Sequence, residues 1–283
     1  MKVRIGTRKS KLALIQSELA ADAIKQAYPD AETELIYYTT KGDVILDKPL
    51  EKLGGKGVFI SEIEQALQSG DIDIAVHSAK DLPLELAEGT RISAVLRRSF
   101  PNDVLVTRRN EVLKGGVIGT SSTRRADGVR KLFPDTTTAD IRGNVDTRLN
   151  KLAEGQYDGI ILAAAGLSRL GALGDKRFDY TFISTKSLVP APCQGIIAIQ
   201  SGRDDIAELL SGVSDNDTYK CFETERAVLE LLNAGCSSPV GALAEIKDGI
   251  MTLTVTKDQH TILIDSAPAE ERFELVKRLV SEL

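Results

Sequence analysis

The 283-residue chain has no tryptophan, two methionines, two histidines, three cysteines and only 5% aromatic residues. Cys193, Cys221 and Cys236 are an odd number at wide spacing, so they form neither a paired disulfide framework nor a CxxC metal or redox motif. With only His77 and His260 to add to them, no zinc site is expected. No apolar run approaches the ~18 residues of a membrane span, and the longest, Gly159 to Leu167, is rich in alanine and glycine. The basic N-terminus is broken by Ser10, Lys11, Gln16, Ser17 and Glu18, so no signal core is read there and a cytoplasmic location is expected. A net charge of −5 disfavours a nucleic-acid binder held by bulk charge.

The charge that is present is unevenly placed. Residues 99–189 carry 14 basic and 10 acidic side chains, whereas 216–283 carry 7 and 12, so the middle third is suited to meeting an anion. Short β-like runs alternate with helical patterns, the mark of α/β layering. Strands are expected at 3–5, 35–38, 72–76, 104–106, 117–119, 138–141 and 160–163. Helices are expected from Ser10, over 59–70, 122–132 and 145–153. A strand at 196–200 could rejoin the first sheet. Residues 1–98 with 190–212 then form a discontinuous first domain and 99–189 an arginine-rich second. A small α+β third domain occupies 213–283, with a long helix, three strands and a terminal helix from about Pro268.

Gly54-Gly55-Lys56-Gly57 resembles a phosphate loop but fails the G-x-x-x-x-G-K-[ST] pattern at Leu50 and Gly57. The glycines and lysines of 39–57 suit a basic lid or a solvated turn. A stronger signal is Gly119-Thr120-Ser121-Ser122-Thr123-Arg124-Arg125, where an apolar strand opens into a helix. Free N–H groups, hydroxyls and guanidinium groups there can hold a carboxylate or phosphate. A Ser/Thr cap with a basic exposed face is the plainer reading, but two arginines in a first turn oppose the helix dipole. Arg142-Gly143-Asn144 occupies the next junction, with Arg148 one turn on. Arg169 follows the next strand, and Arg8 stands at the first junction. Arginines recurring at sheet edges suit a polyanionic ligand. Asp81 ends a strand beside Lys80, where partial desolvation could tune a carboxylate facing a cation or N–H donor; a turn aspartate before Pro83 is the alternative. His77 reads as a satisfied core histidine and Cys221 as packing. Cys236 lies in a Gly/Ser/Pro loop as a candidate nucleophile or attachment point, with no histidine placed as its base.

These segments, taken together, resemble the hydroxymethylbilane synthase (porphobilinogen deaminase) family. The resemblance rests on 8–14, Thr40-Lys41-Gly42-Asp43, 54–59, His77-Ser78-Ala79-Lys80-Asp81-Leu82-Pro83, 119–125, 142–149 and 235–241, in order along the chain. It implies two periplasmic-binding-protein-like α/β domains about a cleft, plus a small α+β C-terminal domain. The implied reaction joins four porphobilinogen molecules head to tail with loss of four ammonia, and water then releases 1-hydroxymethylbilane. The implied cofactor is a dipyrromethane on Cys236 through a thioether. Arg8, Asp81, Arg142 and Arg148 would be catalytic. Lys80, Thr120, Ser121, Ser122, Arg124, Arg125 and Asn144 would hold the cofactor. Arg8, Ser10, Gln16, Arg142, Arg148, Arg169 and Gln194 would meet the substrate, with Lys52, Lys56 and Phe59 on the lid.

Primer and product units together present about twelve carboxylates, a load arginine forks can hold. Loss of ammonia leaves a cationic, azafulvene-like electrophile that a buried carboxylate, Asp81, would stabilise. The resemblance also implies a monomer that passes its product to uroporphyrinogen-III synthase, with no metal, nucleic acid or membrane partner. A non-catalytic small-anion binding protein with the same cleft is the alternative. Several residues depart from the family pattern. Ala79 replaces a bulkier apolar residue, Thr123 a leucine, Cys193 a glycine and Gln200 a glutamate, and Ser99-Phe100 replaces an acidic pair.

Overall fold

The structure is a computed structural model that describes residues 2–39, 61–235 and 238–283. The first elements are β1 (Lys2–Arg8), α1 (Lys11–Ala27), β2 (Glu32–Tyr38), α2 (Ser61–Ser69), β3 (Ile74–Ser78) and β4 (Arg91–Val95). There follow β5 (Asp103–Arg108), β6 (Gly116–Gly119), α3 (Thr123–Leu132), β7 (Thr136–Ala139), α4 (Val145–Ala153), β8 (Gly159–Ala163), α5 (Ala164–Arg169) and β9 (Phe178–Phe182). The chain ends with β10 (Ile197–Ser201), α6 (Asp204–Ser211), α7 (Asn216–Leu231), β11 (Gly241–Lys247), β12 (Ile250–Thr256), β13 (Leu263–Pro268) and α8 (Arg272–Ser281). It divides into two compact units, one of Met1–Arg98 with Ile196–Tyr219 and one of Ser99–Gly195 with Lys220–Leu283. Among the described residues no helix is long and apolar enough to cross a membrane.

In the first unit the sheet runs β2-β1-β3-β10-β4, with β1 parallel to β2 and β3. As expected, β10 rejoins this sheet, lying antiparallel between β3 and β4. Alternate residues Val3, Ile5, Ile74, Val76, Ile197 and Ile199 bury against Ala20 and Ile24 of α1 and Ile206 and Leu210 of α6. Each fully buried side chain of this size contributes about 1.5–3 kcal/mol of transfer free energy. α1 begins where the Ser10 hydroxyl accepts from Ala13 N, and so it starts as read.

In the second unit one sheet runs β7-β6-β8-β5-β9, with β6 parallel to β7 and β8. Their C-terminal ends therefore share one edge, from which α3, α4 and α5 start. The other sheet, β11-β12-β13, is antiparallel and packs Met251, Leu253 and Val255 against Cys221 and Val228 of α7 and Leu275 and Leu279 of α8.

The element reading needs correction in places. The strand expected at 138–141 is β7, Thr136–Ala139, because the chain leaves the sheet early to form the Arg142-Gly143-Asn144 turn. Gly143 there has φ +111, and a Cβ would lie 2.6 Å from Thr147 Cγ2. Arg169 closes the helix α5 rather than following a strand end, since alanines favour helix once the sheet is left. β4, β9 and α6 were not expected. β9 is an edge strand whose residues are mostly not buried, so it carries no strong alternation.

Candidate active site

In the first unit β1 and β3 are parallel neighbours, which brings Arg8 and Ser78 to the same edge of the sheet. Ser10 caps α1 just beyond Arg8. Gln16, one turn into that helix, is buried and its Nε2 donates to Ser78 Oγ at 2.8 Å, tying α1 to the end of β3. The 3-10 turn Ala79–Asp81 then carries the chain off the sheet. Successive residues of such a turn point about 120° apart, and so Ala79 faces the core, Lys80 is half-buried and Asp81 is exposed. The expectation of a desolvated Asp81 is thereby corrected: the turn leaves Asp81 exposed to solvent. His77 is the satisfied core histidine that was expected. Its Nε2 donates to Gln200 Oε1 at 2.9 Å, while Gln200 Nε2 donates to Glu64 Oε1 at 3.0 Å and Thr90 Oγ1 at 2.7 Å. Burial lowers the imidazole from 6.5 to about 4, so it is neutral at pH 7.

In the second unit two junctions lie side by side because β6 and β7 are paired. The Ser122 hydroxyl caps α3 by accepting from Arg125 N, and Asn144 Oδ1 caps α4 by accepting from Thr147 N at 2.9 Å. Thr120 N donates to Ala139 O at 2.8 Å. The Ser121 hydroxyl donates to Ile141 O at 2.9 Å and accepts from Ile141 N at 3.1 Å. Ser121 therefore joins the two junctions, and its proton is committed to the protein. Arg148 Nε donates to Gly143 O at 2.8 Å, and Lys151 Nζ to Arg142 O at 3.2 Å. Arg142 and Arg148 are both half-buried.

Arg124 and Arg125 do not form an exposed basic face. Both turn inward onto Asp103, the first residue of β5, whose side chain is 0% exposed. Arg124 Nη2 reaches Asp103 Oδ2 at 2.7 Å, and Arg125 Nη2 reaches Oδ1 at 2.8 Å. Gln194 is buried in the same network, its Nε2 donating to Asp103 Oδ1 at 3.1 Å. Burial lowers the Arg124 pKa from its ordinary value. Its Nε is buried with no hydrogen-bond partner among the described residues. Arg169 Nη2 donates to Gly195 O at 2.6 Å, and burial lowers its pKa to about 10. Asp103 was missed, although an aspartate opening an apolar strand in an arginine-rich unit is a legible signal.

Cys236, Lys52, Lys56 and Phe59 lie outside the described residues. Cys221 is buried in the α7 core, in keeping with packing. A dipyrromethane is an apolar pair of rings bearing several carboxylates. The two capped junctions, the half-buried Arg142 and Arg148 and the unpartnered Arg124 Nε form a cationic, donor-rich set of the chemistry such a group requires.

The family model "Porphobilinogen deaminase, dipyromethane cofactor binding domain" matches residues 3–209, and "Porphobilinogen deaminase, C-terminal domain" matches 219–283. The porphobilinogen deaminase of Acetivibrio thermocellus is 46% identical, with 90% of this chain and 87% of that protein covered. That of Roseiflexus sp. is 47% identical over 86% and 81%, and that of Streptococcus sanguinis 39% identical over 99% and 95%. Among solved structures, the periplasmic VFT2 domain of Bordetella pertussis BvgS is similar with a TM-score of 0.46 and 14% identity, covering 78% of this chain and 92% of that one. Two family models matching in order over nearly the whole sequence, with relatives of this identity, show that the chain belongs to the porphobilinogen deaminase family.

Proposed function

We propose that the chain is a hydroxymethylbilane synthase, a transferase that joins four porphobilinogen molecules head to tail with release of four ammonia, water then freeing the product as 1-hydroxymethylbilane. The observation that carries this reading is the match to both parts of the family model in order. The same match disfavours a non-catalytic anion-binding protein. When bound through Cys236, the dipyrromethane supplies the ring carbon from which the chain grows and remains on the protein when product leaves.

The residues of this chain do the rest. Arg142 and Arg148, beside the capped start of α4, hold acetate and propionate groups, as does Arg8 at the edge of the first sheet. Lys80, Thr120, Ser122 and Asn144 contribute N–H, O–H or ammonium donors around the cofactor. Ser121, Arg124, Arg125 and Gln194 hold the wall behind it. Ser10 and Gln16 fix the α1 start, and Arg169 supports the edge through Gly195. Asp81 offers a negative charge to porphobilinogen as its aminomethyl C–N bond breaks and ammonia departs with the bonding pair. Ligand binding removes water from Asp81, and its attraction for the ring cation strengthens accordingly.

A three-domain division at 1–98 with 190–212, 99–189 and 213–283 belongs to this proposal, supported by the way each of the three sheets draws its strands from one of those ranges. So do the lid roles of Lys52, Lys56 and Phe59, a monomeric state, a cytoplasmic location and delivery of product to uroporphyrinogen-III synthase.

Intact-mass spectrometry of the purified chain beside Cys236→Ala tests the reading, followed by porphobilinogen consumption. A dipyrromethane adduct on the parent alone, with turnover, is expected. A parent that gains no adduct after incubation with porphobilinogen refutes it.

A further inference from the structure

Residues Val189–Gly195 connect the two α/β sheets along the chain, and most of them are buried. One side of this segment faces the arginines. Val189 O accepts from Arg124 Nη1 at 2.7 Å, and Gly195 O accepts from Arg169 Nη2 at 2.6 Å. Gln194 reaches Asp103 at 3.1 Å and also accepts from Arg125 Nη2 at 3.4 Å. Three cationic side chains are therefore bonded to one short stretch of backbone and one carboxamide, alongside the bonds of Arg124 and Arg125 to Asp103.

The other side of the segment is gripped by the C-terminal sheet and its helix. Gln259, fully buried between β12 and β13, accepts from Val189 N at 2.8 Å and donates to Val189 O at 3.3 Å. Ala242 N donates to Pro190 O at 3.1 Å. Gly241 permits this approach, since a Cβ there would lie 2.9 Å from Val189 O. Glu225 of α7, 0% exposed, accepts from Cys193 N at 2.5 Å through Oε2 and from Ala244 N at 2.6 Å through Oε1. Cys193 has φ +63, a left-handed conformation that an L side chain adopts when its surroundings hold it there. Gly195 has φ +89 and sits so close to Ser99 O that a Cβ would lie 2.7 Å away. The turn that aims Gln194 at Asp103 and the Gly195 carbonyl at Arg169 is thus clamped at Val189 and at Cys193.

We infer that Glu225 and Gln259 are positioning residues for the reaction, setting Arg124, Arg125 and Arg169 through the Val189–Gly195 segment. The C-terminal sheet and α7 then brace the arginine wall as well as carrying the cysteine loop. The inference rests on the synthase reading. Replacing Glu225 by glutamine keeps its shape but turns an N–H donor toward one of the two backbone N–H groups, which releases that end of the clamp.

The test uses the full-length, cofactor-bearing protein. Glu225→Gln, Gln259→Leu and the control Leu275→Ala are compared with the parent. Leu275 is buried in the α8 core and belongs to a cluster that contains no residue of the segment. KM and kcat for porphobilinogen are measured per molecule carrying the adduct by intact mass, at a temperature where circular dichroism shows each variant folded. In both clamp variants KM is expected to rise roughly tenfold with a smaller change in kcat, because the displaced wall no longer supports the edge at which the substrate carboxylates are held. Leu275→Ala is expected to melt earlier with KM unchanged. Unchanged KM and kcat in the clamp variants, or an equal shift in the control, overturns the inference. If Glu225→Gln does not fold, Gln259→Leu decides alone. A parent that consumes no porphobilinogen overturns the synthase reading and this inference with it.

Discussion

Asp103→Asn is the most informative single change to the arginine wall. The hydrogen bonds that Asp103 accepts include those from Arg124 Nη2 at 2.7 Å, Arg125 Nε at 3.0 Å and Nη2 at 2.8 Å, and Gln194 Nε2 at 3.1 Å. Its side chain is 0% exposed, and those of Arg124 and Arg125 are 3% and 9% exposed. Asparagine fits the space but removes the one carboxylate that this network shows between two enclosed cations, and it turns an amide donor toward a guanidinium. Breaking a buried ion pair by removing one partner costs about 3–5 kcal/mol. An exposed pair such as Arg203–Asp205, with side chains 54% and 61% exposed, is the natural contrast. Losing a pair of that kind costs at most about 1 kcal/mol.

Scanning calorimetry of the cofactor-bearing protein reads the difference. At roughly 2–4 °C per kcal/mol for a unit of this size, Asp103→Asn should lower the transition by about 10 °C, and Asp205→Ala by no more than about 4 °C. The triple change Asp103→Leu, Arg124→Leu, Arg125→Met should be less destabilising than Asp103→Asn, because no buried charge is left without its counter-charge. A loss below about 1 kcal/mol in Asp103→Asn would show that the guanidinium groups find water or another anion, and the reasoning would fail.

Three further expectations follow from named contacts. His77 is held near 4 in the folded chain against 6.5 unfolded, so between those values the unfolded chain binds the extra proton; stability falls as pH drops from about 6.5 to about 4, by roughly 3 kcal/mol in full. Urea titrations at pH 7 and pH 4.5 should show that loss in the parent and a smaller one in His77→Gln; equal slopes would refute it. At Cys193, φ +63 reverses the ordinary preference, so Cys193→Gly should be more stable than Cys193→Ala by about 1 kcal/mol in urea melts, whereas the opposite order would count against a left-handed backbone there. Asp81 is exposed and shapes no core, so Asp81→Ala should melt within about 1 kcal/mol of the parent while turnover falls at least roughly 100-fold; near-parental turnover refutes its assigned role.

Elements with a local cause were legible in the sequence. Ser10, Ser122 and Asn144 mark three helix starts because each supplies a cap, and the apolar runs of β5, β8 and β12 mark buried strands. The return of β10 to the first sheet was read from an isolated apolar strand beyond two prolines. α6 carries a local signal as well, two aspartates in its first turn with Ile206 and Leu210 four apart. β9 had almost none, because an edge strand with one buried residue need not alternate. The arginine positions were legible and their directions were not. Whether Arg124 points to solvent or to Asp103 depends on a partner 21 residues away, and local spacing carries nothing about that. Glu225 and Gln259 were invisible for the same reason: each acts on a backbone segment distant in sequence.

The wall therefore holds two kinds of arginine, and they should answer differently to salt. Arg124 and Arg125 are buried and bonded to Asp103 at 2.7 and 2.8 Å, where mobile ions cannot reach them. Arg142 and Arg148 are half-buried beside the exposed cap Asn144, within reach of solvent. Charges of the second kind are screened over about 8–10 Å at ordinary ionic strength, and those of the first kind much less. In the proposed reading the outer arginines meet the carboxylates of the substrate and the growing chain. KM for porphobilinogen should accordingly rise with added potassium chloride in the parent. Arg142→Gln should raise KM at low salt and flatten that dependence, because the screened attraction is already gone. Asp103→Asn, tested below its melting range, should shift KM while leaving the salt slope as steep as in the parent. If Arg142→Gln kept the full slope and Asp103→Asn lost it, the inner pair rather than the outer one would be the contact that substrate carboxylates make.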